Sequence, residues 1–179
     1  MPRTEGSEIG HVRVCGGSGW VTARFYPAAV NLDIHQQVKY IVLMDVLLDA
    51  SAIMAVILNE PNRAKVIGLT EDRTLLSPEI ISFEIGNALI NLYKRQKITE
   101  TKLLDAYKTF TGIPIRLINI DIEKALKIAC KYKIYAYDAY YLETAYRLNS
   151  PLITFDALMK DVGTDLNIRI FDGATGKEE

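Results

Sequence analysis

Histidine is nearly missing from this sequence. His11 and His35 are the only two, both lie in the first 43 residues, and from Met44 to the C-terminus there is none. The body of the chain therefore cannot build a Ser-His-Asp or Cys-His catalytic arrangement, nor a histidine-ligated zinc site. Cysteine is almost as scarce. Cys15 and Cys130 make no disulfide framework and fit a reducing cytoplasm. Cys130 follows Ile128 and Ala129 in a helical pattern, so it reads as core filler. The longest apolar run, Ala52 to Leu58, falls far short of the roughly 20 residues that span a bilayer, so no membrane partner is expected. The N-terminus carries Arg3, Glu5, Glu8 and Arg13 without an apolar stretch and does not read as a secretory signal. A formal net charge of -1 and the lack of a basic or acidic tail mean that composition alone announces no nucleic acid. What is present is an ordinary globular balance, 49% hydrophobic and 24% charged over 179 residues, enough for one substantial core.

Residues 1–43 stand apart. They hold both histidines, the single Trp20 and the run Gly16-Gly17-Ser18-Gly19, with no convincing periodicity. They read as a leader whose order the sequence leaves open. An alternative start at Met44 would make them translated upstream sequence. The glycine run lacks the strand-then-helix frame of a phosphate loop and reads as a linker.

From about Val42 the pattern alternates between strand and helix. Short strands are expected at Val46–Leu48, Thr74–Ser77, Arg116–Ile118 and Leu152–Thr154, with an edge strand at Asn167–Phe171. Helices are expected over Ser51–Leu58, stopped by Asn59-Glu60-Pro61, and over Asn62–Thr70. A long helix takes Pro78 in its first turn and runs to about Arg95, and another is opened by a Thr99 cap and runs to Thr111. Asp121 opens one to about Lys131, and Asp138 opens one to about Asn149. Ala157–Val162 forms the last, with Gly163 at its end. Such alternation implies an α/β fold with a mostly parallel sheet covered on both faces.

Without histidine, catalysis falls to carboxylates, and four are placed suggestively. Asp49 and Asp156 each follow a short apolar strand, so in a parallel sheet both emerge at the carboxyl edge, where open α/β sheets bind ligands. Each also suits a helix N-cap. With Ile81 set at zero and about 100° per residue, Ile85, Ala88 and Leu92 fall within about 40° and form a core stripe. Glu84, Asn87 and Asn91 run directly beside that stripe. On the next-to-last helix Asp138 shares a face with Leu142, Ala145 and Asn149, within about 40°. A charge facing inward is costly unless it is paired, hydrogen-bonded or metal-bound, although a cap role is also open. Four converging acids without basic partners repel each other and raise each other's pKa. A bound Mg²⁺ or Mn²⁺ removes that penalty and can activate a water toward a phosphodiester, with a second ion roughly 4 Å away an option. Ser51 and Thr154, two residues from Asp49 and Asp156, can hold a metal-bound water or a carboxylate, or cap backbone. Between Met44 and Asp172 there are 16 basic and 17 acidic residues. Setting the four candidate acids aside leaves a surface of net +3, with Lys94, Arg95, Lys97, Lys124, Lys127, Lys131 and Lys133 available to phosphates.

Four segments carry a family resemblance: Leu47-Leu48-Asp49-Ala50-Ser51-Ala52, Glu84-Ile85-Gly86-Asn87-Ala88-Leu89, Tyr137-Asp138-Ala139-Tyr140-Tyr141-Leu142-Glu143-Thr144-Ala145 and Thr154-Phe155-Asp156. In this order, with acids spaced by 35, 54 and 18 residues, the chain resembles the PIN-domain nucleases, and among them the VapC-type toxins. The resemblance covers about Asp45 to Asp172. It implies a PIN-like three-layer α/β/α sandwich over 44–173, followed by a flexible tail at 174–179. It also implies a Mg²⁺- or Mn²⁺-dependent endoribonuclease, usually a homodimer, held inactive by a cognate antitoxin whose tail crosses the acidic cleft. Asp49, Glu84, Asp138 and Asp156 match the family's metal-site acids, and Ser51, Asn87 and Thr154 its supporting polar positions. The family usually begins at its first strand, and the leader here departs from that.

Two other readings compete. A HAD-like phosphatase would use Asp49 as nucleophile but wants a second Asp two residues on, where this chain has Ser51. A non-catalytic PIN-like module binding RNA or protein often loses one or more acids, and all four are present here.

Overall fold

The computed structural model describes residues 44–171, together with the backbone of 10–12 and 21–23. The chain divides into two units, Met1–Ile41 and Val42–Glu179. In the first, β1 (Gly10–Val12) pairs antiparallel with β2 (Val21–Ala23), His11 opposite Thr22. The glycine run at 16–19, Trp20, Cys15 and His35 lie outside the described residues, as does the expected tail at 174–179.

The second unit alternates as its pattern predicts: β3 (Met44–Leu48), α1 (Ala50–Ile57), α2 (Arg63–Thr70), β4 (Arg73–Pro78), α3 (Ile81–Lys94), α4 (Glu100–Thr111), β5 (Ile115–Ile118), α5 (Ile122–Tyr132), α6 (Ala136–Leu148), β6 (Leu152–Ile153) and α7 (Ala157–Asp165). The sheet is wholly parallel, in the order β5-β4-β3-β6. Successive strand residues point to opposite faces, yet Val46, Leu47 and Leu48 are all buried. Both faces are therefore covered by helices, as parallel sheets require. The core joins these strand residues to Ile53, Leu76, Ile81, Ile85, Leu89, Leu142, Leu152 and Ile153. No described helix is long and apolar enough to cross a membrane.

Side-chain caps fix several helix starts. Asp49, Thr99, Asp121 and Asp156 accept from the backbone N–H groups of Ala52, Lys102, Lys124 and Met159. Other expectations need correction. Pro78 is the buried last residue of β4 rather than the first turn of α3; it lies opposite Ile118, and the N–H that bonds the Ile118 carbonyl belongs to Glu79. The α3 stripe is Ile81, Ile85 and Leu89, an i, i+4 ridge, with Ala88 and Leu92 half-buried. α6 begins at Ala136 with Tyr135 at its N-cap, so Asp138 sits inside the first turn and caps nothing. Gly163 lies within α7, where a Cβ would stand 2.7 Å from Ile170 Cδ1; close packing, not a helix end, accounts for it. Residues 167–171 form only an isolated parallel bridge, Leu152 to Ile170, because β6 offers just two residues to pair with. Cys130 is exposed, because the buried stripe of α5 is Ala125 and Ala129 and the next residue is turned about 100° away from it.

Candidate functional site

From β3 the chain adds β4 and β5 on one side and later returns to place β6 on the other. That reversal leaves a crevice beyond the carboxyl ends of β3 and β6, the usual ligand position in open α/β sheets. Asp49 leaves the end of β3 there, and Thr154 and Asp156 follow β6. Glu84, in the first turn of α3, and Asp138, in the first turn of α6, complete the set.

Asp49 is the hub and is only 3% exposed. The Ser51 hydroxyl stands 2.8 Å from each of its oxygens, the Ala52 N–H donates to Oδ1 at 2.8 Å, and the Thr154 hydroxyl donates to Oδ2 at 2.6 Å. Two backbone groups lock those hydroxyls in turn: the Phe155 N–H donates to Ser51 Oγ at 3.0 Å and the Asp156 N–H to Thr154 Oγ1 at 3.1 Å. Ser51 and Thr154 thus tie the loop after β6 to the start of α1 through one carboxylate. Asp156 is exposed and accepts the Met159 N–H through Oδ1 at 2.8 Å. For Asp49 and Asp156 the capping role and the place in the acidic group coexist. Asn87 is exposed and lines a cleft of about 530 Å³ together with Glu84 and Asp138.

Asp49, Glu84 and Asp138 feel the charges of others in the group. Burial raises the pKa of Asp49 above the ordinary carboxylate range; hydrogen bonds from Thr154, Ala52 and Ser51 partly offset this, and the charge of Asp156 adds to it. Burial likewise lifts Glu84, opposed by its bond from Tyr141 and assisted by the charges of Asp49 and Asp138. Asp138 is raised by burial and then by Asp156. Among the described residues no lysine or arginine contributes an offsetting pull on these three. A cluster of hard oxygens in mutual repulsion suits a divalent ion. Among the described residues no three His, Cys, Asp or Glu side chains converge closely enough to enclose an ion by themselves. The all-oxygen donor chemistry is of the kind a hard divalent ion takes, and an ion here would have at most two of these carboxylates as direct ligands, with water completing its shell.

Two residues of the site had no role in the sequence reading. Tyr141, 2% exposed, donates its hydroxyl to Glu84 Oε2 and so aims that carboxylate. Burial and the neighbouring Glu84 charge hold its phenol protonated far above the usual range. Its signal was available, since Tyr141 follows Asp138 by three residues and so shares its face of α6. Ser77, fully buried at the end of β4, donates to the Leu48 carbonyl at 2.9 Å and braces the strand end that delivers Asp49. Nothing in the sequence distinguished it from a surface serine.

The profile of the PIN domain family matches residues 46–164, and the chain belongs to that family. This sets aside the HAD-like alternative. No curated protein sequence matches the chain. Among solved structures it resembles PAE2754 from Pyrobaculum aerophilum, at 20% identity and a TM-score of 0.53, covering 69% of this chain and 90% of that one. FitAcB from Neisseria gonorrhoeae aligns at 17% identity and a TM-score of 0.53, over 71% and 96% of the two chains. VapBC2 from Rickettsia felis, bound to a DNA fragment from its promoter, aligns at 13% identity and a TM-score of 0.50, over 71% and 97%. At these identities the likeness concerns the fold.

Proposed function

We propose that this PIN domain is a Mg²⁺- or Mn²⁺-dependent endoribonuclease, the cytoplasmic toxin of a toxin–antitoxin pair, acting as a homodimer. One observation supports the reading: Asp49, Glu84, Asp138 and Asp156 come from four separate elements, Asp49, Glu84 and Asp138 feel the charges of others in the group, and among the described residues no basic side chain offsets that effect on these three. Bound there, a divalent ion supplies an activated water and neutralises charge on the phosphodiester. The chain's own residues prepare for this. Ser51, Thr154 and the Ala52 N–H immobilise Asp49, Tyr141 orients Glu84, and the Met159 N–H steadies Asp156. Asp138 faces the open cleft. The toxin assignment is supported by the family resemblance, and by the presence of VapBC2 and FitAcB among proteins of this fold. A small reading frame immediately upstream of the gene would support the antitoxin.

The test is RNA cleavage with added Mn²⁺ by wild type and Asp138→Asn. Wild type is expected to cleave, and the variant to lose at least about 100-fold. Equal activity in both would end the reading at this site. If neither cleaves varied RNAs while RNA or protein binding is normal, the chain is a non-catalytic binding module.

A further inference from the structure

Beside the acids, the cleft carries large aromatic side chains that folding leaves in water. Tyr135 is 82% exposed, Phe83 74% and Tyr137 50%. All three line the cleft of about 530 Å³ that contains Glu84 and Asp138. Two of them immediately precede those acids in sequence, Phe83 before Glu84 and Tyr137 before Asp138. α3 and the start of α6 therefore each deliver an aromatic ring and a carboxylate to one place. The Tyr137 ring has a companion in Tyr140, with centroids 5.8 Å apart and planes 58° from parallel. The lining also holds Asn87 and Asn91, whose amides can both donate and accept, and among the described residues no lysine or arginine.

We propose that Phe83, Tyr135 and Tyr137 form a stacking subsite for unpaired nucleobases of the RNA strand whose phosphate reaches the acidic centre. The proposal rests on the ribonuclease reading and adds where and how the strand is gripped. A polyanion approaching carboxylates needs a hold that does not depend on charge, and among the described residues the cleft lining offers no cation to supply one that does. Every base has a π-face, so aromatic rings hold a single strand with little regard to sequence, whereas paired bases in a duplex keep their faces hidden. Asn87 and Asn91 stand where base edges would come once the faces are stacked.

The experiment uses the full chain and a 12-nucleotide single-stranded RNA carrying 2-aminopurine, with the same sequence as a duplex for comparison. Binding is read in calcium by fluorescence, and cleavage in manganese. Wild type is expected to quench 2-aminopurine and to prefer the single strand. Phe83→Ala, Tyr135→Ala and Tyr137→Ala should each weaken binding and kcat/KM roughly tenfold. Manganese affinity by calorimetry and the slope of binding against salt should stay unchanged, because no ionic contact is lost. Tyr135→Phe and Phe83→Tyr should restore both quenching and affinity. Alanine variants that bind and cleave like wild type overturn the subsite while leaving the nuclease reading intact. Quenching that behaves as described in a protein that cleaves nothing leaves the subsite and removes the nuclease. Equal or tighter binding of the duplex overturns the subsite. So does a loss of affinity that merely follows dissociation of an oligomer, since the rings would then be covered by a second copy of the chain.

Discussion

Asp49 serves as a helix cap and as the most buried acid of the site at once, and the tension between those roles is measurable. Burial raises the native pKa of Asp49, Glu84 and Asp138 above the ordinary 3.8 of an aspartate and 4.5 of a glutamate. Between the ordinary and the raised values the native state binds more protons than the unfolded one. Its stability therefore falls as pH climbs through that window, and the penalty vanishes below the ordinary values. Removing one such charge removes its share. In EDTA, Asp138→Asn is expected to gain stability relative to wild type as pH rises from about 4 to 7. The difference between urea midpoints reports it, and a gap that narrows over that interval would contradict the burial argument. At this scale the sequence was legible where a short offset marks a partner: Ser51 and Thr154, expected to hold a carboxylate or cap backbone, both bond Asp49. It gave Tyr141 only a shared helix face with Asp138 and was silent on Ser77; their roles come from partners 57 and 29 residues away.

Elements were legible where local signals agree. Asp49, Thr99 and Asp121 cap as expected because the cap bond spans three residues and needs no tertiary partner. Pro78, the bridge at Ile170 and the exposure of Cys130 were misjudged because neighbouring elements decide them. α6 shows the same limit. Glu143 is 1% exposed within the core face, and Arg147 one turn later donates to it at 2.7 Å while also donating to the Asn119 carbonyl at 2.7 Å. That clamp fixes the helix carrying Asp138 against the loop that opens α5. Arg147→Ala strands a buried carboxylate and is expected to cost on the order of 2–3 kcal/mol. The full buried-pair figure is larger, but Arg147 keeps about a third of its side chain in water. Chemical denaturation measures the loss, and a change below about 0.5 kcal/mol would mean that Glu143 finds another partner.

For the whole molecule, the parallel α/β class followed from alternation alone, but the order β5-β4-β3-β6 did not. Strands buried on both faces read as plain apolar runs and carry no pairing code. That order matters most for the site, because it sets the crevice beyond the ends of β3 and β6, into which Asp49 and Asp156 lead. If a divalent ion occupies that crevice, it binds the folded chain alone, since the unfolded chain keeps the acids far apart. Manganese at 100 times its dissociation constant should then add about 2.7 kcal/mol and raise the melting temperature, while Asp49→Asn and Asp138→Asn should lose most of the rise. Equal shifts in wild type and both variants would mean that the ion binds elsewhere.

Three of the four acids surrender coordinating capacity to the protein. Both oxygens of Asp49 already accept protein donors, Glu84 Oε2 is claimed by Tyr141, and Asp156 Oδ1 by a backbone amide. Bidentate capture is thereby discouraged, and an incoming cation meets single free lone pairs separated by solvent. If an ion is held by so few protein oxygens, its occupancy would follow the free divalent ion of the surroundings, and the proposed nuclease would fall silent when that pool is depleted, without any inhibitor protein.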